Sequence, residues 1–448
     1  MRMQGVKWAA VLLGVVLLCS ACSVGGQNAV PESSAKENTG STSRQEENDQ
    51  ASSHTGTRSL TMVEGPRNQI GGNQRGAYFL WSTGNGHQML YVDYDTKELT
   101  AWTNQLKPTQ DEANPGWIND TDGGTEPYVT EDAVYVLKKG NLPLPSVGYA
   151  GSPCKLSKLS LDGTGRRTIT LPLNQVILQN SGVAAEGDKL YLLVGTYDKS
   201  GDLERCDICY SDFEKEQLFP IATLETADRY ALVGVYEQGL LLQKTTVPAE
   251  YEKKSHQEKM AHYVYELDRF SLDDGTLTKC ISWKTGERSC VYREGGVYYL
   301  DRETGSLNWY DAQKDQDQML FENIVPDEYE KQALSLYGED YGDHLVGSLC
   351  GADGETLWVG INLHSGSCTP ITLSYEYNMG TMPVTILAQT KDQFLVDAGQ
   401  VDRMVPMIDE NGNMHEMVQP VTQFALINQE DYWASRPNYE MITNHYFA

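Results

Sequence analysis

One close pair of cysteines, Cys206 and Cys209 in the stretch RCDIC, has the CxxC spacing found in redox and zinc sites. Both residues fall in a predicted strand, where side chains three positions apart point to opposite faces. A zinc site would also need a second pair at a suitable spacing, and no such pair follows. We therefore predict structural strand cysteines here, and neither a metal site nor a cofactor.

Other patterns that could carry chemistry are weak or missing. Asn119 to Gly124 (NDTDGG) has carboxylates at alternate positions, like the start of a calcium loop, but it lacks the later glutamate of an EF-hand. Turn chemistry explains its Asp and Gly residues equally well. GxSxG, HExxH and Walker A motifs do not occur, which argues against the enzymes that depend on them. A glycosidase or lyase with carboxylates facing each other across a pocket stays open, because the chain has 62 acidic residues.

The N-terminus has the features of a targeting segment. Arg2 and Lys7 form a short basic start, and Trp8 to Leu18 is an apolar run too short to span a bilayer. Small residues then precede Cys22 in LCSACS, which resembles the lipobox of bacterial lipoproteins, although Cys19 stands where that family usually has leucine. The resemblance implies lipidation of Cys22 and anchoring to the cell membrane on its extracytoplasmic face. The alternative is an ordinary signal peptide with a cysteine by chance.

The stretch after Cys22 is predicted to be a disordered tether. From Ser23 to about Ser59 the sequence is rich in Ser, Gly, Gln, Asn, Glu and Thr, and it has almost no bulky apolar residue with which to build a core. Seven cysteines follow it, an odd number, so at least one is predicted to be free or paired with another molecule. The formal net charge of −27 repels nucleic acids, so we expect no nucleic-acid partner.

The elements that must position any site are short strands. The stretch LSKLSLDGTGRRTITL, from Leu156 to Leu171, alternates apolar and polar residues on both sides of an Asp-Gly-Thr-Gly turn, which predicts a β-hairpin. A second pattern, a charged or glycine turn followed by apolar β-formers, occurs seven times. Aligned on Tyr78, Val134, Leu190, Leu240, Val297, Leu345 and Phe394, its copies are 56, 56, 50, 57, 48 and 49 residues apart.

A hairpin like the one at Leu156 lies between successive copies, so each repeat supplies four strands. This predicts an all-β fold, a seven-bladed β-propeller of four-stranded antiparallel blades over about Thr61 to Trp433. The spacing also allows six or eight blades. Thr422 to Ala434 is expected to close the ring by pairing with the first blade. The predicted domains are a signal peptide at 1–21, a lipid-anchored tether at 22–59 and the propeller at 60–448.

The repeat, notably LSLDGTGRR, resembles β-propeller lipoproteins of Gram-positive bacteria that carry a low-density-lipoprotein-receptor-like propeller or a related domain of unknown function. The resemblance covers most of the chain after the signal peptide. Because members of that family are mostly uncharacterised, it implies the fold and the location, and little about activity.

The long loops of the predicted propeller all fall on one rim: Thr103 to Glu126, Lys138 to Pro153, Thr245 to Ala261 and Ser374 to Pro383. Long loops in compact domains are usually functional, and these combine aromatic and acidic residues that suit a glycan, a cationic ligand or a protein surface. The alternative for each aromatic residue is that it packs its loop against the blades. The candidate ligand-binding residues are Trp117, Asp120, Asp122, Glu126, Tyr149, Tyr375 and Tyr377.

The sequence as a whole predicts a lipid-anchored, extracytoplasmic propeller without enzymatic activity. Its expected partners are the membrane, through the N-terminal lipid, and an envelope protein or polysaccharide bound at the long-loop rim. The alternative is a glycan-active hydrolase or lyase with its carboxylates near the propeller axis, and a purely structural role in the envelope is a third hypothesis.

Overall fold

In the part of the chain that the computed structural model describes, the regular secondary structure is almost entirely β-strand. Cys22 and the predicted signal peptide and tether lie outside that part. None of the described helices is long and apolar enough to cross a bilayer. The described residues are 60–63, 70–82, 86–103, 114–119, 124–143, 148–178, 181–226, 229–351, 354–378, 380–408 and 414–446.

Seven four-stranded antiparallel sheets, named blades 1 to 7 in chain order, follow the first strand, β1 (Leu60–Val63). Blade 1 comprises β2 (Ile70–Gly72), β3 (Gly76–Ser82), β4 (His87–Asp93) and β5 (Glu98–Ala101), and β6 (Trp117–Ile118) adds to it. Blade 2 comprises β7 (Thr125–Val129), β8 (Ala133–Lys138), β9 (Lys155–Ser160) and β10 (Arg167–Thr170). Blade 3 has a short accessory strand, β11 (Gln175–Ile177), before β12 (Val183–Glu186), β13 (Lys189–Tyr197), β14 (Leu203–Asp212) and β15 (Gln217–Leu224).

The remaining blades follow the same up-and-down order. Blade 4 comprises β16 (Arg229–Tyr236), β17 (Gly239–Thr246), β18 (Val264–Ser271) and β19 (Leu277–Lys284). Blade 5 comprises β20 (Arg288–Arg293), β21 (Gly296–Asp301), β22 (Leu307–Asp311) and β23 (Gln316–Phe321). Blade 6 comprises β24 (Leu334–Tyr341), β25 (His344–Cys350), β26 (Thr356–Asn362) and β27 (Cys368–Pro370).

Blade 7 is preceded by a separate hairpin of β28 (Ser374–Tyr377) and β29 (Gly380–Pro383). It comprises β30 (Ile386–Gln389), β31 (Gln393–Ile408), β32 (Met414–Asn428) and β33 (Glu440–Met441), and β34 (Thr443–Asn444) follows. The helices are α1 (His256–Met260), α2 (Gln429–Trp433) and the 3-10 turns Ala249–Tyr251 and Lys331–Ala333. The predicted seven-bladed, four-stranded architecture is confirmed.

The core is divided among the seven gaps between neighbouring blades. Successive residues of a strand alternate between the two gaps: in β3, Phe79 packs toward blade 7 and Tyr78 toward blade 2. Such a strand has apolar residues on both faces, which explains why the repeated segments read as nearly continuous apolar runs. The gap between blades 7 and 1 is filled like the others, with Leu395 and Phe424 against Phe79, so packing closes the ring.

Glycine begins several of the second strands because the third strand lies too close for a side chain. A Cβ at Gly239 would lie 2.0 Å from the carbonyl oxygen of Phe270, and a Cβ at Gly296 would lie 2.0 Å from that of Tyr310. The glycines in QGLLLQ and GGVYYLD are therefore part of the repeat for a steric reason.

The C-terminal strands close the ring differently from the prediction. Thr422 to Asn428 belongs to β32, the third strand of blade 7, and α2 follows it, so this segment does not pair with blade 1. The strand that does so is β34, which runs parallel to β5 at the outer edge of blade 1. The prediction failed because residues 405–408 and 414–418 belong to the long β31 and β32 pair, so Thr422 to Asn428 forms the continuation of the third strand of blade 7 rather than an additional strand.

The first strand also differs from expectation, since Thr61 lies outside blade 1. β1 pairs antiparallel with β12, the first strand of blade 3. The first strands of neighbouring blades lie against one another and surround the axis, so β1 lies in the central channel on the inner side of β12. Leu60 and Val63, each 4% exposed, pack into the gaps on the two sides of blade 3.

Candidate functional site

Strand polarity gives the propeller two different rims. The short-turn rim carries the seven turns between first and second strands, each with two central residues. The long-loop rim carries the connections between second and third strands and those between blades. All four predicted long excursions lie on it, two inside blades 2 and 4 and two between blades.

Trp117 is buried rather than presented at the rim. It forms β6, whose partners in β4 are His87 and Gln88, and it is 4% exposed. Its indole lies against Gly86, where a Cβ would be 2.9 Å from the ring. Trp117 therefore packs its segment against blade 1, which is what the alternative prediction for the aromatic residues states.

Glu126 and Tyr149 lie in blade 2 and its long loop. The Glu126 carboxylate forms an ion pair with Lys139 and accepts a hydrogen bond from the Tyr128 hydroxyl at 3.1 Å. Tyr149 is half-buried. Asp120 and Asp122 lie outside the described residues.

Tyr375 and Tyr377 lie side by side on β28 and attach its hairpin to β31. The Tyr375 hydroxyl donates to Oδ2 of Asp397 at 3.4 Å, and the Tyr377 hydroxyl donates to Oδ1 of Asp402 at 2.7 Å. Both carboxylates belong to β31, so the two tyrosine hydroxyls face the protein rather than a ligand site on the rim. The hydrogen bond to Asp402 raises the pKa of Tyr377, and burial raises the pKa of Tyr375 to about 12.

Asp397 is a buried carboxylate that the sequence did not single out. Burial raises its pKa to about 7, and hydrogen bonds from Tyr375 and Thr385 offset part of that rise. Within the described part of the chain, its buried Oδ1 atom accepts no hydrogen bond, and the buried hydroxyl of Tyr439 has no partner either. A carboxylate on an apolar β-strand between aromatic residues offers no motif by which it could have been recognised.

A two-stranded projection from blade 7 lies on the long-loop rim, and we name it the arm: residues 399–408 of β31 and 414–423 of β32. β30 pairs with β31 only as far as Val396, and β33 pairs with β32 only at Ala425 and Leu426, so neither strand continues along the arm. Large apolar side chains on the arm face solvent: Met404 is 58% exposed, Met417 50% and Val418 61%.

A cavity of about 570 Å³ opens on the opposite, short-turn rim at the propeller axis. Its wall includes β1 and the first turns of blades 7, 1 and 2. None of the five described ligand-binding candidates lines it, and among the described lining residues the one carboxylate is that of Glu131.

The seven cysteines after the predicted tether are all free thiols. Cys206 packs in the gap toward blade 4 and Cys209 in the gap toward blade 2, so the predicted opposite orientation of the CxxC pair is confirmed. Burial raises the pKa of Cys206 to about 11 and that of Cys209 to about 12, which makes both thiols unreactive at neutral pH. Within the described ranges, no three His, Cys, Asp or Glu residues are grouped so that they could hold a metal ion.

No protein-family model matches the sequence, and no curated protein matches it either. Solved structures similar to it include the β-propeller domain of the Trilobed protease from Pyrococcus furiosus, with 10% identity, a TM-score of 0.43, and coverage of 86% of this chain and 96% of that one. An oligogalacturonate lyase in complex with manganese has 12% identity and a TM-score of 0.37, with 79% and 85% covered. A prolyl endopeptidase has 10% identity and a TM-score of 0.42; the match covers 84% of this chain and about half, 54%, of that one.

Proposed function

We propose that this chain is a lipid-anchored, extracytoplasmic β-propeller that binds a partner protein through its long-loop rim. The N-terminal sequence supports the anchor, because a basic start, an apolar run and small residues before Cys22 occur together. Two or more acyl chains on such a cysteine would hold the protein stably on a membrane.

The observation that carries the binding proposal is the arm. Met404, Met417 and Val418 each expose half or more of their surface and lie close together on one projecting element, whereas the gaps between the blades bury large clusters of apolar side chains. Exposed apolar side chains on a projecting element are typical of interaction sites, and methionine adapts well to a partner's surface. These side chains favour a protein over a glycan, since a polar glycan gains little from contact with them.

The partner side of the proposal is tested by site-specific photo-crosslinking on intact cells. A photoreactive phenylalanine analogue at Met417 is expected to join the full chain to one discrete protein, identified by mass spectrometry. The matched control is the same analogue at Met319, a methionine of similar exposure (57%) on the outer strand of blade 5. Absence of an adduct at Met417, or identical adducts at both positions, would contradict the proposal.

The anchor is tested separately with Cys22→Ser. Loss of the lipid is expected to release the protein from the membrane fraction into the medium. Retention of the variant on membranes at the wild-type level would show that another element holds it there.

The glycan-active alternative lacks a specific observation in its favour. A glycosidase uses two carboxylates across a pocket, about 5 to 9.5 Å apart. Among the described residues lining the axial cavity, Glu131 supplies a single carboxylate.

A further inference from the structure

The axial cavity is remote from the arm and has a different chemical character. Its described wall is mostly small or amide-bearing side chains, with no aromatic ring. Its volume of about 570 Å³ lies within the range of small-ligand sites. A ligand here would therefore be recognised by hydrogen bonds and charge rather than by stacking.

Positively and negatively charged side chains both line the cavity, at equivalent positions of the short turns. The first central residue of the short turn is Lys391 in blade 7, Gln74 in blade 1 and Glu131 in blade 2. These three blades are consecutive around the ring, so the wall presents a cation, an amide and an anion in that order.

Hydrogen bonds between the blades hold these turns in place. The Lys391 backbone N–H donates to Oε1 of Gln74 at 2.9 Å, and the Gln74 backbone N–H donates to Oε1 of Glu131 at 3.4 Å. Nε2 of Gln429 donates to the carbonyl oxygen of Thr390 at 3.0 Å. Among the described residues, the Lys391 ammonium has no carboxylate partner.

The remaining side of the cavity is an unpaired strand edge. β1 is the terminal strand of its sheet and pairs only with β12 among the described strands, while Thr61, Met62 and Val63 line the cavity. In an antiparallel pair alternate residues direct their N–H and C=O groups away from the partner, so β1 turns backbone donors and acceptors toward the cavity. A free edge of this kind is a template for an added strand.

We propose that the axial cavity binds a short peptide with free ends, which lies as an extended strand on the inner edge of β1. Its carboxylate pairs with the Lys391 ammonium, its ammonium with the Glu131 carboxylate, and its backbone amides with β1. The seven short turns also carry six further carboxylates and one further cation around the mouth: Asp132, Asp188, Glu237, Glu294, Asp343 and Asp392, and Arg75. This negative mouth repels purely anionic ligands, and Lys391 repels purely cationic ones at the cavity itself.

The proposal is tested by isothermal titration calorimetry of the full chain in detergent with trialanine. Trialanine is expected to bind, and N-acetylation or C-terminal amidation is each expected to weaken binding about tenfold, because each removes one charge pair. Lys391→Met should lower the affinity for trialanine to the affinity that the wild type has for the amidated peptide, and amidation should then have no further effect. Glu131→Gln should lower it to the affinity that the wild type has for the acetylated peptide, and acetylation should then have no further effect. Methylation of the central amide nitrogen should also weaken binding, since it removes a strand donor.

The matched control is Glu237→Gln, which removes a carboxylate from the same turn position in blade 4, outside the cavity wall. It is expected to leave the affinity for trialanine unchanged. The proposal is overturned if trialanine produces no heat of binding, if both capped peptides bind as well as the free one, or if Lys391→Met and Glu237→Gln have equal effects. Tighter binding of spermidine than of trialanine would also overturn it, because the acidic mouth alone would then select the ligand.

Discussion

Two of the β segments that depart from the four-strand pattern of the blades, β1 and the arm, have opposite surroundings. β1 enters the central channel at the short-turn rim and buries Leu60 and Val63 between blades. The arm leaves blade 7 at the long-loop rim and exposes Met404, Met417 and Val418. The apolar residues of β1 are therefore part of the core, whereas those of the arm are not.

Leu60→Ala is expected to have the largest effect on stability. It removes a side chain packed among buried residues of blades 3 and 4, and such a truncation costs about 2 to 5 kcal/mol. Chemical denaturation of the purified chain measures the free energy of unfolding. The control, Leu277→Ala at an exposed position of β19, should change it by less than about 0.5 kcal/mol. Equal effects would mean that β1 does not contribute to the core.

Asp397→Asn, at the base of the arm, is expected to stabilise the protein in a pH-dependent way. The folded-state pKa of about 7 lies above the ordinary 3.8, so between these values the folded form holds a proton that the unfolded form has lost. Wild-type stability due to this group therefore falls as pH rises from about 4 to 7, while the variant does not titrate.

The variant should match the wild type near pH 4 and exceed it by about 2 to 3 kcal/mol above pH 7. Thermal unfolding of both chains at a series of pH values measures this difference. A difference that is independent of pH would contradict the assigned titration of Asp397.

Tyr377→Phe is expected to have a smaller, local effect. It removes the hydrogen bond to Asp402 that attaches the β28 and β29 hairpin to the arm, at a cost of about 0.5 to 1.5 kcal/mol. Hydrogen exchange of amides in β28 and β29 should become faster, while exchange in blade 3 stays the same. Tyr337→Phe, at an exposed tyrosine of β24, is the control. Unchanged exchange in Tyr377→Phe would show that the hydroxyl does not hold the hairpin.

The double substitution Met417→Ser and Val418→Ser should change the free energy of unfolding least, by less than about 0.5 kcal/mol, because both side chains already face solvent. The same variant should lose the crosslinks formed from a photoreactive analogue placed at Met404. A large loss of stability would indicate that the arm is part of the core rather than an interaction element.

Much of the fold could be predicted from the sequence because each blade repeats one local pattern. The short turn, the apolar second strand and the outer hairpin are all set by neighbouring residues, so seven copies gave the blade count and the polarity of the rims. In the turn after Ser160, Gly163 and Gly165 have φ of +80° and +69°, as that pattern predicts.

The features that differ from the sequence-based predictions depend on contacts between residues that are far apart in the chain. Nothing local in Leu60 to Val63 indicates that its partner lies in blade 3, and the length of the β31 and β32 pair contradicts the spacing seen in the other blades. For the candidate site, the sequence could predict which rim carries the long loops, but not which side chains are exposed on it. Exposed aromatic residues and packed ones look alike in sequence, and the structure buries Trp117 and turns the hydroxyls of Tyr375 and Tyr377 toward Asp397 and Asp402.

The pairing of β1 with β12 also bears on how the chain is made. During synthesis Leu60 leaves the ribosome well before Glu186, its partner, so β1 exists for a time with nothing to pair with. Blades 1 and 2 can be complete before β12 is available, and the channel stays open until blade 3 is in place. β1 must therefore wait until more than a hundred further residues have been translated before its partner is available. A delay at that step would leave a bare strand edge exposed to neighbouring nascent chains.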